Sequence, residues 1–176
     1  KAGTYKIDVE GALPGEVYTI SQDPQELFGS ALPMKAPAFL AIISSNTLAN
    51  YLTKDETTRP DGFVVELPTA GGHNSPPRGA LALDESGQPI YGERDFPHFE
   101  KLAQLGIPFW IAGSWGKPQK LKEAHALGAR GIQVGTAFAF SDDSGFDKKI
   151  KSLVFEQIAL GQTQASPDPV ASPSGF

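Results

Sequence analysis

Pro108-Phe109-Trp110-Ile111-Ala112-Gly113-Ser114-Trp115-Gly116 is the stretch on which the reading of the chain turns. Residues 108 to 112 are apolar without a break, which suits a parallel strand covered on both faces. Glycines then end the run, and an amphipathic helix is expected next, with Leu121, Ala124 and Leu127 inward and a stop at Gly128. The same arrangement follows at once, with Gly131-Ile132-Gln133-Val134-Gly135 as a strand and Thr136 opening the segment after it.

Upstream, two more units have this form. Phe39-Leu40-Ala41-Ile42-Ile43 is a buried strand, Ser44-Ser45 offers an N-cap, and Leu48, Tyr51 and Leu52 are expected on the inner helical face. Gly62-Phe63-Val64-Val65-Glu66-Leu67 is the next strand. After a long interruption, Asp95 is expected to cap a helix with Phe96, Phe99 and Leu102 inward, ending at Gly106. Ile150, Leu153, Val154 and Ile158 mark a last helix. Before all of these, Tyr5 to Val9 alternates apolar and polar residues. Leu13-Pro14-Gly15-Glu16 signals a turn and Val17 to Ile20 is β-rich, so residues 1 to 35 are read as extended structure with a hairpin.

Four strand–helix units imply an α/β fold with a parallel sheet and right-handed crossovers. Both a doubly wound open sheet and part of an eight-stranded barrel fit. Two features favour the barrel: no Gly-x-Gly-x-x-Gly run follows an early strand, and the glycine turns follow the last two strands, where barrels often hold phosphate. Four units cannot close a barrel of eight. The expectation is therefore the C-terminal half of a TIM (β/α)8 barrel at 37–160, behind a hairpin-like segment at 1–36 and ahead of a Pro/Ser-rich loop or linker at 161–176. The opening Lys1 and the bare Phe176 suggest a segment of a longer chain. Two open sheet edges would then favour self-association or pairing with the missing half, and little activity from the segment alone.

The bulk composition excludes several classes. With 176 residues and a formal charge of −5, and without a long run of Lys or Arg, nucleic acid is a poor partner. No apolar run approaches membrane-spanning length, and no cleavable leader opens the chain. The lack of Cys rules out disulfides and thiolate metal sites and fits a cytoplasmic location.

Chemistry is expected at the C-terminal ends of the strands. Glu66-Leu67-Pro68-Thr69-Ala70-Gly71-Gly72-His73-Asn74 follows the second of them. Paired glycines let a backbone approach a ligand closely, and His73 beside them suits proton transfer near neutral pH. The plain alternative is a flexible loop start with a surface His. The irregular stretch from Pro68 to about Gly92, stiffened by Pro76-Pro77, is read as a cover over the site mouth, or else a surface loop. Gly113 and Ser114 after the third strand, with Gly135 and Thr136 after the fourth, can converge amide and hydroxyl donors on one phosphate. The alternative is ordinary turn glycine. His98 and His125 are expected to be solvated, and the three histidines lack metal-ligand spacing. No Gly-x-Ser-x-Gly elbow is present for hydrolysis. Phe138 and Phe140 are read as core or site wall, and Asp142-Asp143 as a helix-start cluster.

Three segments together carry a family resemblance. Asp61 to Glu66 running on to Ala70-Gly71-Gly72-His73, Pro108 to Gly113, and Ala126-Leu127-Gly128-Ala129-Arg130-Gly131-Ile132-Gln133-Val134-Gly135-Thr136 resemble, in order and spacing, the nitronate monooxygenases. The likeness covers about residues 37 to 145. It implies an FMN-binding barrel in which His73 is the base that takes the proton α to a nitro group. It also implies that Gly71 and Gly72 line the flavin, and that Gly113, Ser114, Gly135 and Thr136 hold its phosphate. The partners implied are a nitronate or similar small molecule and O2, with activity falling at acid pH. Ser114 departs from the glycine common there, at a cost if its φ is positive. The loop after His73 is longer than the family's, so substrate preference does not carry over. NADH-dependent flavin reductases of the enoyl-acyl-carrier-protein reductase type share these features. A non-catalytic half-barrel that binds a phosphate ligand is the third reading.

Overall fold

The computed structural model describes residues 2–29, 35–72 and 74–163. They form two compact units, Lys1–Pro37 and Ala38–Phe176.

In the first unit, β1 (Gly3–Ile7) pairs antiparallel with β2 (Tyr18–Gln22), with Tyr5 opposite Ile20. The hairpin was expected, but β1 lies two residues earlier than the alternation suggested. Ile7 pairs with Tyr18, the first residue of β2, so Asp8 and Val9 have no partner, and Val9 begins a turn closed by Ala12 N–H to its carbonyl. The helix α1 (Pro24–Phe28) departs from the extended reading. Asp23 caps it by accepting from the Gln25 amide at 2.9 Å, and Pro24 presets its first turn.

The second unit is an α/β layer around one parallel sheet, β3 (Leu40–Ile43), β4 (Gly62–Glu66), β5 (Phe109–Ala112) and β6 (Gly131–Ile132), ordered as in the sequence. This is the arrangement of consecutive β/α units expected of half a barrel. The strands carry α2 (Asn46–Leu52), α3 (Phe99–Ala103) and α4 (Pro118–Ala126) between them, and α5 (Thr136–Ala139) and α6 (Lys148–Ala159) after the last. Alternate strand residues Ala41, Ile43, Phe63, Val65, Phe109 and Ile111 face the helices and form the core with Ala49, Leu102 and Ala124. Fully burying side chains of the size of Phe63 or Ile111 is worth about 1.5–3 kcal/mol each, so this strand–helix seam holds the unit together.

Several helix assignments shift. On α2 the buried residue is Ala49, whereas Leu48 and Tyr51 are exposed. The small side chain lets the helix approach the sheet closely, and it therefore sets the inner face. Asp95 does not cap α3. It ends a single 3-10 turn (Glu93–Asp95), and the helix starts after His98, which leaves Phe96 exposed. His98 itself is exposed, as expected, and its backbone exchanges two hydrogen bonds with Asn46 at 2.8 and 2.9 Å. On α4 Ala124 is buried and Leu121 is exposed.

The last helix forms where its apolar residues marked it, but Ile150, Leu153 and Ile158 are exposed while Lys151 is buried. The Lys151 ammonium donates to the carbonyls of Ser141 and Ser144 at 2.6 and 3.0 Å, which compensates its removal from water. Asp147, not Asp142 or Asp143, caps this helix. β6 stops at Ile132, short of the expected Gly135, because β5 turns away at Gly113. One further ladder bond, Gln133 N–H to Ile111 carbonyl at 2.9 Å, is made before the chain departs. The Pro/Ser-rich linker expected at 161–176 lies almost wholly outside the described residues.

Candidate active site at the strand ends

A cleft of about 660 Å3 opens at the C-terminal ends of β4, β5 and β6. That size lies within the range of small-molecule and cofactor sites. Three backbone segments wall it: Ala70 to Gly72 after β4, Gly113 to Lys117 after β5, and Gln133 to Ala137 after β6. Glu66 and Ala112, which pair across the ladder, lie at its base, and Phe140 and Phe146 close one side as a stacked pair 5.6 Å apart. Of the expected site residues, Gly71, Gly72, Gly113, Ser114, Gly135 and Thr136 all line this one cleft. His73 lies outside the described residues. Phe140 is the wall residue foreseen, whereas Phe138 is exposed and belongs to neither wall nor core.

The turn after β5 is tightly built. Gly113 has φ +98, and a Cβ there would approach the Leu67 carbonyl oxygen and the Ala70 amide nitrogen to 3.1 Å, so only glycine suits the position. Ser114 follows with φ 59, the sole positive φ of a non-glycine among the described residues. Such a conformation costs roughly 1–2 kcal/mol for an L-residue. A hydrogen bond offsets part of it: Ser114 Oγ donates to the Thr69 carbonyl at 2.7 Å. The hydroxyl proton expected to point at a phosphate is thus engaged within the protein. The backbone amides of Gly113, Ser114 and Gly135 are not: they donate to no protein acceptor among the described residues. Amides left open in adjacent turns are the arrangement that binds anions. Around Gly72 and Gly135 the space a Cβ would occupy is empty, so a ligand can lie directly on the backbone.

The described residues between Pro68 and Gly92 are anchored by several hydrogen bonds. Asn74, 2% exposed, donates to the Pro68 carbonyl at 2.9 Å and accepts from the Ser75 amide. Asp95 accepts from the amides of Arg78 and Gly92, both at 2.7 Å. The Tyr91 hydroxyl donates to the Ser75 carbonyl at 3.2 Å, and Arg78 reaches the Ser44 carbonyl at the end of β3. Burial, and secondarily the Asp95 carboxylate, push the Tyr91 phenol above its ordinary value. Sequence reasoning missed these anchors. Their signal was an Asn and a Tyr inside a stretch otherwise read as irregular, and an Asp just after it that was read as a helix cap.

Among the described residues no cluster of His, Asp or Glu could hold a metal ion, and no helix is long and apolar enough to cross a membrane. The geometry therefore defines a parallel α/β unit whose strand ends carry amides that donate to no protein acceptor among the described residues. No family model matches the chain. It is similar to a probable nitronate monooxygenase of Staphylococcus saprophyticus subsp. saprophyticus, 29% identical over 116 residues that make up 65% of this chain and 31% of the relative. A probable nitronate monooxygenase of Staphylococcus haemolyticus is 28% identical over 119 residues, 66% of this chain and 32% of the relative. The chain thus spans about a third of the length of the curated relatives it matches.

Proposed function

We propose that the chain is the C-terminal half-barrel of an FMN-dependent oxidoreductase of the nitronate monooxygenase type. The observation that carries this reading is the meeting of the 70–72, 113–114 and 135–136 segments around one cleft, with three amides that donate to no protein acceptor among the described residues. The two similar Staphylococcus proteins, both probable nitronate monooxygenases, support the same direction.

The residues present fit a flavin mononucleotide. The amides of Gly113, Ser114 and Gly135, with the Thr136 hydroxyl, would hold its phosphate, and Gly71 with the open backbone at Gly72 would lie against its ring system. FMN, when bound, supplies the electron-transfer chemistry. The protein contributes orientation and a partly dry pocket, with the stacked Phe140 and Phe146 limiting water on one side. His73, next along the chain after Gly72, is assigned as the base that removes the proton α to a nitro group. The substrate would be a small nitronate or nitroalkane, with O2 as co-substrate. β3 ends the sheet on one side, and its Leu40 and Ile42 are exposed on the face away from the helices, which supports completion of a barrel by further strands.

The test is His73→Ala in the complete protein. Turnover of neutral nitroalkanes is expected to be lost while the visible flavin spectrum persists. Turnover at the wild-type rate would refute the base assignment, and a protein that takes up no flavin would refute the reading as a whole.

A further inference from the structure

The loop after β4 and the turn after β5 are tied together by a reciprocal pair of hydrogen bonds. Thr69 Oγ1 donates to the Gly113 carbonyl at 2.8 Å, and Ser114 Oγ donates to the Thr69 carbonyl at 2.7 Å. The sheet does not require them, since its ladder is already continued here by the Leu67 amide donating to Ala112. They join the two walls of the cleft instead. Thr69 directly precedes Ala70-Gly71-Gly72 on one side, and Gly113 and Ser114 form the turn on the other. Each segment offers a backbone carbonyl, that of Thr69 or of Gly113, to a hydroxyl of the other, so a shift of either wall strains both bonds.

We propose that Thr69 is a positioning residue that sets the span of the cleft. Its hydroxyl and carbonyl hold the 70–72 wall at a fixed offset from the phosphate-facing turn. A long, rigid ligand bearing a phosphate at one end can then engage both walls at once. The inference rests on the FMN reading above and adds a residue to which that reading gives no role.

The latch predicts a difference between ligands that span the cleft and ligands that do not. On that reading FMN would span both walls, whereas inorganic phosphate would meet only the turns. In the complete protein, Thr69→Val keeps the side-chain volume but removes the donor. It is expected to weaken FMN binding roughly tenfold while phosphate affinity changes by less than about twofold. Thr69→Ser restores the hydroxyl and should return FMN affinity to within about twofold of wild type. Equal weakening of both ligands would mean that the turn itself is distorted, and would overturn the positioning role. Unchanged FMN affinity in Thr69→Val would overturn it too. Should that variant fail to fold, Ser114→Ala breaks the other bond of the pair, and the same comparison of FMN with phosphate decides. A wild-type protein that binds no FMN sinks the cofactor reading and the latch together. FMN binding indifferent to Thr69 sinks the latch alone.

Discussion

The indole of Trp110 on β5 fills the place that a side chain on Gly62 of β4 would need. A Cβ at Gly62 would come to 2.9 Å from Trp110 Cζ3 and 2.7 Å from Leu40 Cδ2, and one at Gly131 to 3.2 Å from Trp110 Cδ1. The ring thus extends over both neighbouring strands, on the sheet face opposite the one carrying Phe109 and Ile111. Gly62→Ala is expected to cost about 1–3 kcal/mol through overpacking. Urea unfolding measures it, and an unchanged midpoint would show that the ring moves aside freely.

Ser114 is strained but bonded. Replacement by Gly removes the cost of φ 59 and also the 2.7 Å bond to Thr69, terms of similar size. Ser114→Gly should therefore change stability by less than about 1 kcal/mol. Ser114→Val keeps the strain, adds β-branching and loses the bond, and should cost more than about 2 kcal/mol. Paired denaturant titrations check the contrast.

Asp95 holds the excursion after β4 at two points, through the amides of Arg78 and Gly92. Asp95→Ala leaves both donors without their charged acceptor, and a loss of about 2–4 kcal/mol follows. Limited trypsin digestion should show faster cleavage after Arg78 in the variant. Equal cleavage rates would mean that the loop is held by other contacts.

Tyr91 gives the same loop a pH dependence. Its phenol is raised above 10.0 in the folded protein by burial and by Asp95. A raised folded value means that the contribution to stability is complete below the unfolded value and is lost as pH rises through the folded one. Thermal stability should therefore decline above about pH 10, and less steeply in Tyr91→Phe, which cannot ionise. Parallel slopes for the two proteins would contradict this.

Much of the fold was legible because continuous apolar strands and glycine stops are strong local signals. Phe109–Ala112, bounded by Gly113, and the Gly106 and Gly128 stops, both at positive φ, sit where the pattern put them. The inward faces of the helices were less legible. On α2 Ala49 is buried where Leu48 was expected, and on α4 Ala124 is buried as expected while Leu121 is not, because contact distance to the sheet, not side-chain hydrophobicity, selects the inner face. The buried Lys151 was invisible for a related reason: its carbonyl partners Ser141 and Ser144 converge only once the turn before α6 is formed. At the cleft, the glycine turns could be read from spacing. The Thr69–Ser114 pairing could not, since it depends on contact between segments far apart in sequence.

The amides of the turns after β5 and β6, proposed to hold a phosphate, are the centre of this account, and affinity for FMN against riboflavin tests them most directly. Titrating the complete protein with each flavin and following fluorescence quenching should give FMN binding at least roughly tenfold tighter, since charge-assisted hydrogen bonds to the phosphate are worth that much. Equal affinity for the two flavins, or binding of neither, would contradict it.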